Sequence, residues 1–434
     1  MLKSNPQRLA WATLLGALAV FCALCVGVIV FTQWLVFQSP TSLNVTLHVG
    51  QGTVGLLAPD TDERAVRSDP ADVARDDRLS TDNLSQGYLA FADPYSGEVV
   101  ATVMLRSNSV ATLQSATRPR FSLSENPYAI RLKGVNGRLE VWVSTGLHRE
   151  IRLEIDGPVG IARIGEKGDF LFESTPTYVK LTARDGSATL VSHDGRAQHL
   201  AMSTEGEIQQ GDPDTGVRAG PVDLLPNSTF GQEQDWPKEW VCAHTPDPSY
   251  PNAPGGTYEF VKVDGRPTIH IERLAPNPGP AKTGCIQVLG DGTHGLDVTQ
   301  YASLRLRVTM QVHYQSLSAC GVAGSECPVM LKLTYLDQDG NARVWYHGFY
   351  TEAEPNVGRT ICDSCWEPHQ QINQDAWYTY ESGNLFTDWP EGQRPGAIQQ
   401  VEFYSSGHQY DVMLSEVSLV ATLPDTSATA ATTP

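Results

Sequence analysis

The chain has 434 residues, with 49 Asp and Glu against 31 Lys and Arg, for a formal charge of −18. That acidity argues against nucleic acid and against an anionic lipid surface as partners, because both repel a negative protein. Setting aside one apolar N-terminal run leaves roughly 390 residues, enough for two or three domains, each with its own core.

That run, Leu9 to Phe37, carries no charged residue. It exceeds the ~20 apolar residues needed to span a bilayer, with some tilt or an interfacial end. Trp11 and Trp34 lie near its ends, where indoles favour the headgroup level. Lys3 and Arg8 precede it, and the next basic residue is Arg64. The bias places residues 1–8 in the cytoplasm, 9–37 as a transmembrane signal anchor, and the bulk of the chain outside the cell membrane. A cleaved signal peptide has a shorter apolar core and a small-x-small site. A lipoprotein would use Cys22 or Cys25, but Phe21 and Leu24 stand where a small residue is wanted.

After the short stalk Gln38 to Ser42, strands dominate. LNVTLHV, GYLAFA, RLEVWV, IRLEI and GIARI are apolar on every second residue, the pattern of half-buried strands. Asn136-Gly137, Asp185-Gly186 and Asp194-Gly195 read as hairpin turns. Asp60 to Asp82, densely charged and broken by Pro70, reads as a solvated loop.

The order LHVGQGTVGL, RLSTDNLSQGYLAFAD, LEIDGPVGIARIGEKGDFLFES and VKLTARDGSATLVSHDGRAQHL resembles the FecR domain over residues 43–208. The resemblance implies an all-β module of exported bacterial proteins. The sigma-factor-controlling cytoplasmic domain of iron-uptake FecR proteins has no counterpart in the eight residues before the anchor, so the module carries over and the circuit does not.

Residues 209–223, QQGDPDTGVRAGPVD, have the composition of a linker. Beyond it, LLPNSTFGQEQDWPKEW and the closing YDVMLSEVSLVATL resemble the ends of galactose-binding-like jelly rolls, the fold of many carbohydrate-binding modules. Between them TYEFVKV, TIHIER, SLRLRVTMQV, PVMLKLTYL, ARVWYHGFY and IQQVEFYSS supply strands for two sheets over 224–424, with a hairpin at Asp337 to Gly340. The fold expected is mostly β: one transmembrane helix, a FecR-like domain, and a disulfide-containing β-sandwich in series. Residues 425–434 lack large apolar groups and read as a disordered tail.

Six cysteines, Cys242, Cys285, Cys320, Cys327, Cys362 and Cys365, lie beyond the anchor in an exported segment, which points to disulfides with 15 formal pairings. Short loops favour Cys320 with Cys327 and Cys362 with Cys365, leaving Cys242 for Cys285. Cys362, Cys365 and His369, with Cys320 or His347, approach a zinc composition, but oxidised cysteines do not ligate. A redox C-x-x-C wants a helix N-terminus, which the surrounding turn residues do not provide.

Aromatic faces stack on sugar rings and acidic or amide groups bond hydroxyls, so Trp345, Trp366, Glu367, His369, Trp377 and Tyr380 form a candidate glycan groove. The competing reading assigns them to the sandwich core. Trp366, in a loop beside a disulfide, is the best ligand candidate. Glu416 stands where the resemblance implies an acidic ligand for a structural calcium ion. No G-x-S-x-G, H-E-x-x-H or P-loop occurs. The expectation is a non-enzymatic extracytoplasmic protein that binds carbohydrate or a cell-envelope component. Its rivals are an envelope structural protein and a glycan-acting enzyme.

Overall fold

A computed structural model describes residues 6–59, 61–211, 216–231, 238–274, 279–354 and 358–424. The tail from Asp425, Trp236, the first five residues and residues 212–215 of the linker lie outside the described residues. The expected class is what the structure shows: an N-terminal helix followed by strands that build packed sheets.

The helix, Pro6–Phe37, has 32 residues, which makes it about 48 Å long. Its segment Ala10–Phe37 is long and apolar enough to cross a membrane. Its apolar side chains are uncovered, as at Phe21 and Leu24. The carbonyl of Phe37 accepts from Ser124 Oγ at 2.6 Å and Asn126 Nδ2 at 2.9 Å. These bonds satisfy an end group the helix cannot satisfy itself and tie it to the sheets beyond.

The first β unit is organised by one strand of 16 residues, Tyr128–Val143. Its first part, Tyr128 to Leu132, runs parallel to Ile151–Asp156, and its other edge lies antiparallel to Val110–Pro119. Its second half, from Gly137, lies antiparallel to Val99–Leu105 and Gly168–Ser174 in a second sheet. Asn136-Gly137 is therefore not a hairpin turn but the place where one strand passes between sheets. Gly137 has φ +105°, and a Cβ there would stand 2.6 Å from Ser109 Cα. Asp185-Gly186 likewise joins strands that pair with other neighbours, while Asp194-Gly195 does close a hairpin between Ala188–Ser192 and Ala197–Leu200. The inward alternating residues, including Leu47, Phe91, Leu139, Phe170 and Phe172, make one core.

The second β unit is a sandwich. One sheet runs Thr257–Val263, Arg266–Arg273, Tyr410–Thr422, Ser303–Gln315, Tyr378–Glu381. The other runs Val241–Pro246, Ala281–Val288, Pro395–Gly407, Val329–Asp337, Ala342–Tyr350, Gln370–Gln371. The hairpin at Asp337 to Gly340 forms, held by the Asp337 carboxylate, which accepts from the backbone amides of Asp339 at 3.0 Å and Asn341 at 2.8 Å.

The stretch read as a linker is itself stranded. Val217–Ala219 pairs with Thr204–Gln209 of the first unit, and Val222–Asp223 pairs with Tyr410–Thr422 of the second. The two units lie side by side and share a buried charge network. Arg307 of the second unit donates to Glu140 of the first at 2.7 and 2.8 Å, and its Nε reaches Glu416 at 2.8 and 2.9 Å. Arg138 grips Glu381 bidentately at 3.0 and 2.7 Å. The Gln86 side chain bonds both backbone groups of Thr379, at 3.1 and 2.7 Å.

Candidate functional site

The aromatic stretch divides along the sandwich. In Ala342–Tyr350 every second residue faces inward, so Trp345, His347 and Phe349 enter the space between the sheets. Tyr380 comes from the opposite sheet. His347 stacks on Trp345 with centroids 5.7 Å apart, and on Tyr380 at 4.9 Å. Trp389 meets Trp345 at 5.5 Å, and Trp366 stands edge-on to Trp389 at 5.0 Å. One aromatic chain thus runs from the core to the surface, and Trp366 is its outer end.

The residues expected to line a groove do not all reach solvent. Trp345 and Trp377 are each 1% exposed, His369 is 4% exposed, and Trp366 is 36% exposed. Trp377 belongs to the contact between the two units, where it packs with Tyr88, Ala90 and Met104, and its Nε1 donates to Asp264 Oδ2 at 2.9 Å. Tyr380 is partly buried against the sandwich core. These side chains support the surface from beneath or hold the units together.

Trp366 projects from the turn closed by the Cys362–Cys365 disulfide, and Glu367 follows it. Glu367 Oε1 lies 3.4 Å from His347 Nδ1, short of a hydrogen bond of ordinary geometry. Trp345 Nε1 faces the same carboxylate, also without such a bond. Neither ring nitrogen of His347 makes a hydrogen bond of ordinary geometry, although the residue is buried and the Gln370 side chain stands close enough to favour its charged form. Burial, and then the neighbouring His369, push the His347 imidazole down to about 3, so it is neutral. Burial lifts the Glu367 carboxyl above its usual value. An indole face, a partly shielded carboxylate and under-satisfied buried ring nitrogens therefore converge in one place. The ring nitrogens are buried, so of these groups the Trp366 indole and the Glu367 carboxylate are the ones open to a ligand. His347, weighed from sequence only as a zinc ligand, and Trp389 were not among the residues chosen for the groove, yet the alternation in W-Y-H-G-F puts His347 on the face of Trp345.

His369 is occupied by structural bonds. Its Nδ1 accepts from the Gly348 amide at 2.8 Å, so its Nε2 carries the proton and donates to the Gly324 carbonyl at 2.7 Å. The sulfurs of Cys320, Cys327, Cys362 and Cys365 gather around it in two groups, but they are bonded in pairs, as expected: Cys320 to Cys327 and Cys362 to Cys365. Cys242 joins Cys285 across directly paired strands. Sulfurs so bonded do not ligate zinc. Glu416 is likewise engaged: besides Arg307, it accepts from Thr309 Oγ1 at 3.0 Å and Ser418 Oγ at 2.8 Å. Its acceptor directions are filled by protein donors, which leaves none for calcium.

The outward face of the same sheet offers a second aromatic group. There Lys282 and Lys332 flank Glu402, and Lys282 Nζ sits 4.1 Å over the Tyr404 ring. Tyr404 is 8% exposed, so its ring is already covered.

No protein-family model and no curated protein matches the chain. Among solved structures, a protein described as an anti-sigma factor of Parabacteroides distasonis is 10% identical with a TM-score of 0.25, the match covering 33% of this chain and 59% of that one. The Family 11 carbohydrate-binding module of a cellulosomal cellulase of Clostridium thermocellum is 12% identical with a TM-score of 0.26, covering 48% of this chain and 99% of that one. A xylan-binding domain of Paenibacillus barcinonensis is 13% identical with a TM-score of 0.20, covering 43% and 88%. Likenesses at this level carry no conclusion about function.

Proposed function

We propose that the chain is a membrane-anchored extracytoplasmic binding protein that recognises carbohydrate, or another hydroxyl-rich envelope ligand, and does not turn it over. The observation that supports it is the Trp366 surface: an accessible indole on a disulfide-closed turn, beside the half-exposed Glu367 carboxylate. Stacking against Trp366 would take an apolar sugar face, and Glu367 would accept from hydroxyls. Hydrolysis of a glycosidic bond commonly uses two carboxylates flanking that bond, whereas Glu367 faces ring nitrogens. On the sequence features above, residues 43–208 are assigned to a FecR-like unit and 224–424 to a galactose-binding-like unit, with residues 1–8 cytoplasmic.

The test is a titration of the full chain in lipid nanodiscs with a library of envelope and plant glycans, following intrinsic tryptophan fluorescence. A saturable change with at least one glycan is expected. No change with any member would remove the carbohydrate reading. An envelope scaffold is the second reading, favoured by the buried Arg307–Glu140 contact that locks the two units together. It gains if the library is silent while the chain co-purifies with another envelope protein.

A further inference from the structure

The three disulfides differ in ways that bear on chemistry. Cys320 and Cys327 are both fully buried; Cys242 is partly accessible, but attack there would expel Cys285, 1% exposed, as a buried thiolate, which burial disfavours. Cys365 is partly accessible in the turn Cys362–Asp363–Ser364–Cys365, between the exposed residues Ser364 and Trp366. That bond spans a sequence separation of 3, against 7 and 43 for the others. Closing so short a loop removes little freedom from the unfolded chain, so this disulfide contributes least to stability through that route.

Its polar surroundings suit sulfur that carries charge. His369 Nε2 lies 3.8 Å from Cys365 Sγ, but its proton is given to the Gly324 carbonyl, so the ring packs beside this sulfur without donating to it. Ser364 Oγ lies 3.4 Å from Cys362 Sγ and is the donor of that pair while the sulfur is oxidised. A hydroxyl donor thus stands beside the Cys362 sulfur in place of a helix N-terminus, since hydrogen bonds to a thiolate favour it as they favour any anion.

We propose that Cys362–Cys365 is a thiol–disulfide exchange site, and that its state sets the position of the Trp366 turn. The second clause rests on the function proposed above; the first does not. An external thiolate attacks the accessible Cys365 Sγ. The Cys362–Cys365 bond breaks, a mixed disulfide forms at Cys365, and the electron pair leaves on Cys362 Sγ beside the Ser364 hydroxyl. A second external thiolate attacks the external sulfur of that mixed disulfide and releases Cys365 as a thiolate at the partly exposed turn. Both protein thiolates take protons from solvent. The balance is two external thiols oxidised to one disulfide and one protein disulfide reduced to two thiols. With the bond open, the backbone between Ile361 and Glu367 loses its covalent closure just before Trp366.

The experiment treats the full chain in nanodiscs with a graded monothiol, alkylates free thiols at intervals, and locates them by peptide mass mapping. Cys362 and Cys365 should be labelled together at least about tenfold faster than the four other exported cysteines, because access and the leaving thiol govern the rate. Earlier or simultaneous opening of Cys320–Cys327 or Cys242–Cys285 would overturn the exchange site. In parallel, acrylamide quenching is measured without glycan on oxidised and partially reduced protein, each against Trp366→Phe. Reduction should increase the quenching assigned to Trp366, and Cys362→Ser/Cys365→Ser should reproduce that increase. Unchanged quenching in both would overturn the coupling to the turn. Because neither readout uses a glycan, failure of the carbohydrate reading leaves both outcomes interpretable.

Discussion

At the scale of single residues, the aromatic stretch separates into anchors and one exposed face, and the separation follows from which side of a strand each residue occupies. Trp345 and Trp377 are each 1% exposed, so replacing either with alanine should cost ~3–5 kcal/mol, measured as a loss of stability in urea. Sequence alone marked Trp366 as different because its disulfide turn breaks the strand pattern. It did not show that Trp377 packs against Tyr88, a partner nearly 290 positions earlier. His347 gives a pH signature. Its folded-state value is about 3, below the ~6.5 of an exposed histidine, so the unfolded chain binds the proton first as pH falls. The stabilisation of the neutral form is present above pH ~6.5 and is lost as pH falls from there toward ~3. His347→Phe, which cannot titrate, should therefore lose less stability than wild type on acidification. The gap should approach about 3 kcal/mol near pH 4, read from urea midpoints at several pH values. A constant gap would mean that His347 is not held neutral.

At the scale of elements, alternation located most strands, and the hairpins at Asp194-Gly195 and Asp337 to Gly340 followed from their turn residues. Asn136-Gly137 misled because the same dipeptide that closes a type I′ turn also permits a sharp bend within one strand. A local signal cannot tell the two apart, since the difference lies in whether the following segment folds back on its predecessor or pairs elsewhere. In this protein it pairs with Val99–Leu105 and Gly168–Ser174. Gly137→Ala tests the bend. The φ of +105° and the 2.6 Å approach of a Cβ to the Ser109 backbone should make the change cost more than about 1 kcal/mol. A neutral result in thermal unfolding would show that the strand can cross between sheets without glycine. The disulfide pairing was legible because two of the three bridges are local, and the third then followed by elimination.

At the scale of the whole molecule, the two β units form one body through charges that composition could not reveal. Burial alone would raise the Glu140 carboxyl, but the guanidinium groups of Arg307, Arg106 and Arg138 outweigh it and hold it well below the usual carboxylate range. In Glu381 the same contest, with Arg138 as the main opponent of burial, leaves the carboxyl at about 2. Carboxyls depressed in this way contribute stability that is present above the unfolded value of ~4.5 and is lost as pH falls through the folded values. Glu140→Gln leaves Arg307 facing one fewer carboxylate in a buried site, where breaking a pair typically costs ~3–5 kcal/mol. Its expected signature is two calorimetric transitions in place of one, with faster proteolysis at Gly220-Pro221, where the chain passes from one unit to the other. A single unshifted transition would show that the apolar contact around Trp377 suffices to hold the units together.

On the function proposed above, this body presents Trp366 to a carbohydrate. Calorimetric titration of the full chain with a glycan that perturbs its fluorescence, repeated on Trp366→Ala with the melting temperature of each recorded, tests it most directly. One site per chain is expected in the wild type, with at least several-fold weaker binding in the variant, the loss of a central stacking contact exceeding about 1 kcal/mol, and a melting temperature that stays in place. Equal binding by both proteins, or a loss of binding that comes with a large fall in melting temperature, would contradict it.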